Sequence, residues 1–172
     1  KEYDLIVVNS SYKRKIKNPE FLKKLFELPQ IAKLKKIIIG KFSSEIFNGY
    51  NNTTTIDLID NDTVYDYLSK SKILLVPSFL ESAGIIIEEA NYCKCSVLTT
   101  RNVGLSYRIN NNFLCKDVYD TNEWENKIIN ILQNYNNITC FYDVNYYDNN
   151  KIFNFINNLI DIKLNPLFDK SV

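Results

Sequence analysis

The sequence contains no methionine and no histidine, and only four glycines and four prolines among its 172 residues. Without histidine, an imidazole base or an imidazole metal ligand is excluded within this chain, and serine-hydrolase triads and the common zinc sites go with it. The missing methionine leads to the expectation that the chain is a piece of something longer. Long apolar runs are missing as well: no stretch reaches the roughly 18–20 residues needed to cross a bilayer. No signal peptide is visible; a cytoplasmic setting is expected. A net charge of +1 supplies no overall field for nucleic acid or an anionic membrane, and nucleic acid is not expected as a partner.

What is present is apolar enough to fold. With 45% hydrophobic residues the chain can bury a core, and 172 residues is the size of one domain, read here as 1–172. Asn, Ile, Lys, Tyr and Phe make up 86 residues. These types share AT-rich codons, so the bias reports on the genome before it reports on the protein. The cysteines, Cys93, Cys95, Cys115 and Cys140, offer one C-x-C and no C-x-x-C pair. Buried free thiols in a reducing compartment are the plain reading.

Hydrophobic patterning gives a parallel α/β sheet with right-handed crossovers, Rossmann-like, with helices on both faces. Tyr3–Val8, Lys36–Ile39, Thr53–Leu58, Ile73–Val76 and Ser96–Thr99 read as short buried strands, the second ended by Gly40. Asn18-Pro19-Glu20 reads as a capped helix start, with Phe21, Leu22, Leu25 and Phe26 as its buried stripe and Pro29 as its stop. Further helices are expected over Thr63–Lys70 and from Gly84 to about Cys93, the latter with Ile86, Ala90 and Cys93 inward. Asp120 or Thr121 caps another, with Trp124, Ile128, Ile131 and Tyr135 as its stripe. A last helix is read over Asn149–Ile162 on Ile152, Ile156 and Leu159.

In such sheets ligands bind outside the carboxyl ends of the strands. The informative segment is therefore Leu75 to Ala90, where a buried strand meets a Pro77-Ser78 turn, then Glu81, then the small residues Ser82-Ala83-Gly84. Small residues let a ligand approach the backbone, and the following helix directs free N–H groups at whatever sits there, which suits a phosphate or pyrophosphate. Glu89 lies beside the helix's core stripe, so its carboxylate needs a partner. The plain alternative makes Glu81 a solvated turn residue and Glu89 a surface helix residue.

Pro77-Ser78, Glu81-Ser-x-Gly84 and Glu89-Ala90 resemble the E-x7-E signature of retaining, group-1 GT-B glycosyltransferases. The likeness continues through Cys93, Val97 and Thr99–Gly104, and upstream through Lys17-Asn18-Pro19, Gly40 and Ser71–Ser78, covering roughly residues 4 to 133. It matches only the carboxyl-terminal, donor-binding half of that two-domain fold. The resemblance implies a nucleotide-diphospho-sugar donor as substrate, no separate cofactor, and no metal. It implies an amino-terminal acceptor domain outside this sequence that holds a glycan, lipid or protein acceptor and supplies any peripheral membrane contact. Glu81 would bind donor-sugar hydroxyls, Glu89 the ribose, and the amides of Ser82, Ala83 and Gly84 the diphosphate. Lys17 fits the family's basic pair. Its partner, an Arg five residues earlier, is here Tyr12, and Arg14 or Lys15 stands nearby as a substitute.

Other departures mark a divergent member. Lys94-Cys95-Ser96 replaces the usual Gly-x-Pro, Ala83 stands where Phe is common, and Asp60-Asn61-Asp62 lacks the usual Gly. The altered positions motivate an alternative, a non-catalytic nucleotide-sugar-binding or assembly module of the same fold. Asp60-x-Asp62 could hold a divalent metal, or Asp60 could start the next helix. Arg101 and Arg108 flank Gly104, with salt bridging the expected role for both. An unrelated dinucleotide-binding domain would require G-x-G-x-x-G, which is absent.

Overall fold

A computed structural model of the chain describes residues 1–58 and 60–141. The helix expected over Asn149–Ile162 lies outside them. Six strands form one all-parallel sheet: β1 (Tyr3–Ser11), β2 (Lys36–Lys41), β3 (Thr53–Ile56), β4 (Ser71–Val76), β5 (Ser96–Thr100) and β6 (Leu114–Cys115). The helices are α1 (Pro19–Glu27), α2 (Pro29–Ala32), α3 (Ser43–Phe47), α4 (Asn61–Lys70), α5 (Ile86–Tyr92) and α6 (Thr121–Gln133). Strand order is β3-β2-β1-β4-β5-β6. The chain therefore winds outward from β1 to one edge, crosses back, and winds outward to the other.

That reversal sorts the helices. Right-handed crossovers in opposite directions fall on opposite faces. Accordingly α1 packs on α2 and α6, while α4 packs on α5. Both faces of the sheet are covered, so its central strands are apolar on both sides: Leu5–Val7, Ile37–Ile39, Ile73–Val76 and Val97–Leu98 are all buried.

Several local expectations shift. Gly40 does not end β2 but sits inside it at φ 137°, where a Cβ would lie 1.7 Å from the Asn9 carbonyl oxygen. The register of β1 on β2 slips between Val8 and Ser11 at this close approach. Tyr12 fills the divergence, its hydroxyl 3.2 Å from the carbonyl oxygens of both Val7 and Ile39. Pro29 stops α1 but also opens α2 as its first residue. The third strand ends at Ile56 rather than Leu58 because Asp57 turns to accept hydrogen bonds from the Ser43 hydroxyl and the Ser44 amide at the start of α3. Asn18 holds the cap position of α1 in a left-handed conformation without capping it; its side-chain amide donates to the Val118 carbonyl. The stripe of α5 is Ile87 and Ala90, with Ile86 and Cys93 only partly buried, because the helix begins two residues after Gly84. Asp120 caps α6 through the amides of Asn122 and Glu123. Its stripe of Trp124, Ile128 and Ile131 is buried, and Tyr135 follows beyond the helix end.

Candidate functional site

The strand order places a topological switch point between β1 and β4, where connections leave in opposite directions and a crevice opens at the carboxyl ends. A cleft of about 310 Å³ occupies this position. Val8, Asn9 and Ser10 of β1 form one wall, and Val76 of β4 with Glu81, Ala83 and Gly84 of the following loop form the other. Arg14 and Lys17 reach it from the turn after β1, and Ile85 and Ile86 from the start of α5.

Lys17 and Glu81 meet there as an ion pair, their side chains only 12% and 26% exposed. Their backbones are tied as well. Lys17 ends a 3-10 turn, Lys15–Lys17, and the Phe79 amide donates to the Ile16 carbonyl at 2.9 Å. Glu81 is held from behind by the loop that follows β5. Its amide donates to Asn102 at 3.1 Å and its carbonyl accepts from Gly104 at 2.8 Å. Two glycines permit this stacking. A Cβ on Gly104 would lie 2.0 Å from the Ser82 carbonyl oxygen, and Gly84 combines φ 70° with a Cβ position 2.6 Å from Val103.

The other residues singled out from the sequence fall as follows. Arg14 lines the cleft and donates to the Ser10 hydroxyl at 3.5 Å. Ala83 and Gly84 line it, whereas Ser82 is exposed, with its carbonyl against Gly104. Among the described residues, no hydrogen bond occupies the amides of Ser82, Ala83 and Gly84. Glu89 does not line the cleft. It sits about one turn along α5 from Ile85 and Ile86, where its Oε1 accepts from the Tyr65 hydroxyl at 3.4 Å and raises the phenol's pKa. Tyr12 cannot replace the family's Arg: it is a core residue, edge-on to Phe47, with its phenol pushed far up by burial.

Asp60 serves as the helix cap, both carboxylate oxygens accepting from Thr63, and the Thr63 amide holds its pKa below the ordinary value. Arg108 pairs with Glu88, as salt bridging required. Arg101 instead donates to the Asn111 side-chain oxygen at 2.5 Å, a correction to the ion pair expected of it. Sequence reading missed Asn9 and Ser10 as cleft residues. Their position directly after the apolar run of β1 is the signal that marks them. It also missed Tyr65 as the partner of Glu89, for which the sequence carries no signal.

An open parallel sheet with paired cationic and acidic side chains at its switch point defines an α/β domain of the ligand-binding, Rossmann-like class. A family model, Glycosyl transferases group 1, matches residues 1–141. The chain belongs to this family, as the resemblance anticipated, and the family and the fold together are those of a GT-B glycosyltransferase domain. No curated protein matches the chain.

Solved structures share the fold. Sucrose-phosphate synthase from Thermosynechococcus elongatus is 20% identical, with TM-score 0.62 over 77% of this chain and 37% of its own. Trehalose-6-phosphate synthase OtsA is 13% identical, with TM-score 0.59 over 80% and 36%. WaaG, a glycosyltransferase involved in lipopolysaccharide biosynthesis, is 19% identical, with TM-score 0.54 over 75% and 39%. The chain thus spans less than two fifths of the length of these proteins. Among the described residues, no helix is long and apolar enough to cross a membrane.

Proposed function

We propose that residues 1–172 are the donor half of a glycosyltransferase, binding a nucleotide-diphospho-sugar in the β1/β4 cleft. The observation that carries this reading is the Lys17–Glu81 pair at the switch point. Lys17, with Arg14, neutralises the diphosphate, and the loop amides of Ser82, Ala83 and Gly84 add donors without a metal. Glu81 exchanges its contact with Lys17 for hydroxyls of the donor sugar. Glu89, about one turn along α5 beyond the cleft lining, receives the ribose where the nucleoside extends past the cleft, in exchange for its hydrogen bond from Tyr65. Transfer proceeds with retention at the anomeric carbon, in the cytoplasm, to a glycan, lipid or protein acceptor held by an amino-terminal domain outside this sequence.

A thermal-shift panel of UDP-, GDP- and ADP-sugars on wild type and Glu89→Gln tests donor binding. Stabilisation by one of them, weakened in Glu89→Gln, is expected; no stabilisation at millimolar ligand overturns it. The anomeric configuration of the product made by the complete protein, read by NMR, tests retention.

The burial of Tyr12 where the family has Arg favours a second reading, a module that binds nucleotide-sugar without transferring it. Donor binding with no glycosylated product in the complete protein is the outcome that would select it.

A further inference from the structure

The basic segment Lys13–Lys17 has two sides. Arg14 and Lys17 face the β1/β4 cleft, while Lys13 and Lys15 line a second and larger cavity of about 610 Å³. Phe79, whose amide ties the two loops together, lines this second cavity rather than the cleft. Its ring lies 5.3 Å from that of Tyr119 at 39°, and Tyr119 is 69% exposed although its amide is fixed by Asp117 at 2.8 Å. A half-buried Phe79 and an exposed Tyr119 on anchored loops give the cavity an aromatic wall, and a cavity of this size is in the range that takes small molecules.

The charge in the cavity has one sign to spare. Lys13, Lys15 and Lys24 line it together with a single carboxylate, Glu20. Glu20 pairs with Lys23 at 2.9 Å, and Lys13 pairs with Glu45 at 2.9 Å. Among the described residues, Lys15 and Lys24 have no carboxylate at salt-bridge distance. An apolar, aromatic wall beside two uncompensated ammonium groups matches a ligand with one ring face and one anionic group.

We propose that this cavity is a second binding site, separate from the β1/β4 cleft, and that it takes a phosphorylated sugar. The C–H face of the sugar ring stacks on Phe79 and Tyr119, and its phosphate is held by Lys15 and Lys24. The site stands on its own lining residues and does not rest on the donor reading of the cleft.

Titration calorimetry of the whole 172-residue chain with glucose 6-phosphate, glucose and inorganic phosphate tests it, with circular dichroism confirming that each variant is folded. Glucose 6-phosphate is expected to bind more tightly than either of the other two. The variants K15Q, K24Q and Y119A are each expected to weaken it by about tenfold, roughly 1.4 kcal/mol, while K17Q leaves it unchanged. Equal binding of inorganic phosphate overturns the sugar platform, and equal binding of glucose overturns the anion site. Loss of binding in K17Q but not in K15Q or K24Q assigns the ligand to the cleft and overturns the proposal, as does no binding of glucose 6-phosphate at all.

Discussion

Lys17 and Glu81, 64 residues apart in the chain, close on each other across the mouth of the β1/β4 cleft. The two charges neutralise each other, so under the proposed donor reading a diphosphate would compete with Glu81 for the Lys17 ammonium. Lys17→Ala is expected to weaken nucleoside diphosphate binding by about tenfold or more. Glu81→Gln frees the ammonium and is expected to tighten nucleoside diphosphate binding several-fold, while abolishing transfer by the complete protein. Calorimetry with the sugar-free diphosphate separates the two effects. Weaker diphosphate binding in Glu81→Gln would contradict the competition.

Gly104 sets where that carboxylate stands. With the position of its Cβ 2.0 Å from the Ser82 carbonyl oxygen, any side chain there forces the two loops apart. Gly104→Ala is expected to cost about 2 kcal/mol of stability and to weaken ligand binding in the cleft beyond that loss. Denaturant unfolding and calorimetry on the same variant check both.

Lys94 illustrates the opposite case. It stands where the family has Gly, at φ 53°, with the Cys95 amide donating to Ala90 at 2.8 Å and the Lys94 amide to Asn91 at 3.0 Å. This is a Schellman ending for α5, built with a lysine at its left-handed position. Lys94→Gly removes the Cβ strain and is expected to stabilise the fold by about 0.5–1 kcal/mol, seen as a rise in Tm.

Buried ionisable groups give stability a particular pH profile. Burial pushes the Cys95 and Cys140 thiols from 9.0 up to about 12. Above pH 9 the unfolded chain releases protons that the folded chain keeps, so stability falls as pH rises. Lys36 works in the other direction. Its ammonium donates to the carbonyls of Ile31, Ala32 and Leu34, yet burial lowers its pKa from 10.5 to about 8. Between these values the unfolded chain binds the extra proton, and stability rises with pH. A maximum near pH 9 followed by a decline towards pH 12 is expected in denaturant midpoints. Lys36→Met should remove the rise below pH 9.

Much of this arrangement was legible in the sequence because burial on both faces leaves an unmistakable trace. Leu5–Val7, Ile37–Ile39 and Ile73–Val76 are apolar runs that only a doubly covered sheet requires. The Glu81 loop was legible because small residues mark close backbone approach. What could not be read depends on contacts across long separations. That Tyr12 packs on Phe47 and that Glu89 meets Tyr65 follow from how loops stack in three dimensions. The helix expected from Gly84 starts instead at Ile86, because Gly84 belongs to a tight loop at φ 70°, its Cβ position only 2.6 Å from Val103, a residue far along the chain.

The strand at the centre of the finished sheet is the earliest of the six in this sequence. β1 can pair with β2 once residue 41 has left the ribosome, but its other side has no partner until β4 is complete at residue 76. For those 35 residues of synthesis a strand with Leu5, Ile6 and Val7 at its centre presents an open hydrogen-bonding edge, the geometry that recruits foreign strands. Slow translation through residues 42–76 should therefore lower the soluble yield, and the interval is a natural point of engagement for a chaperone.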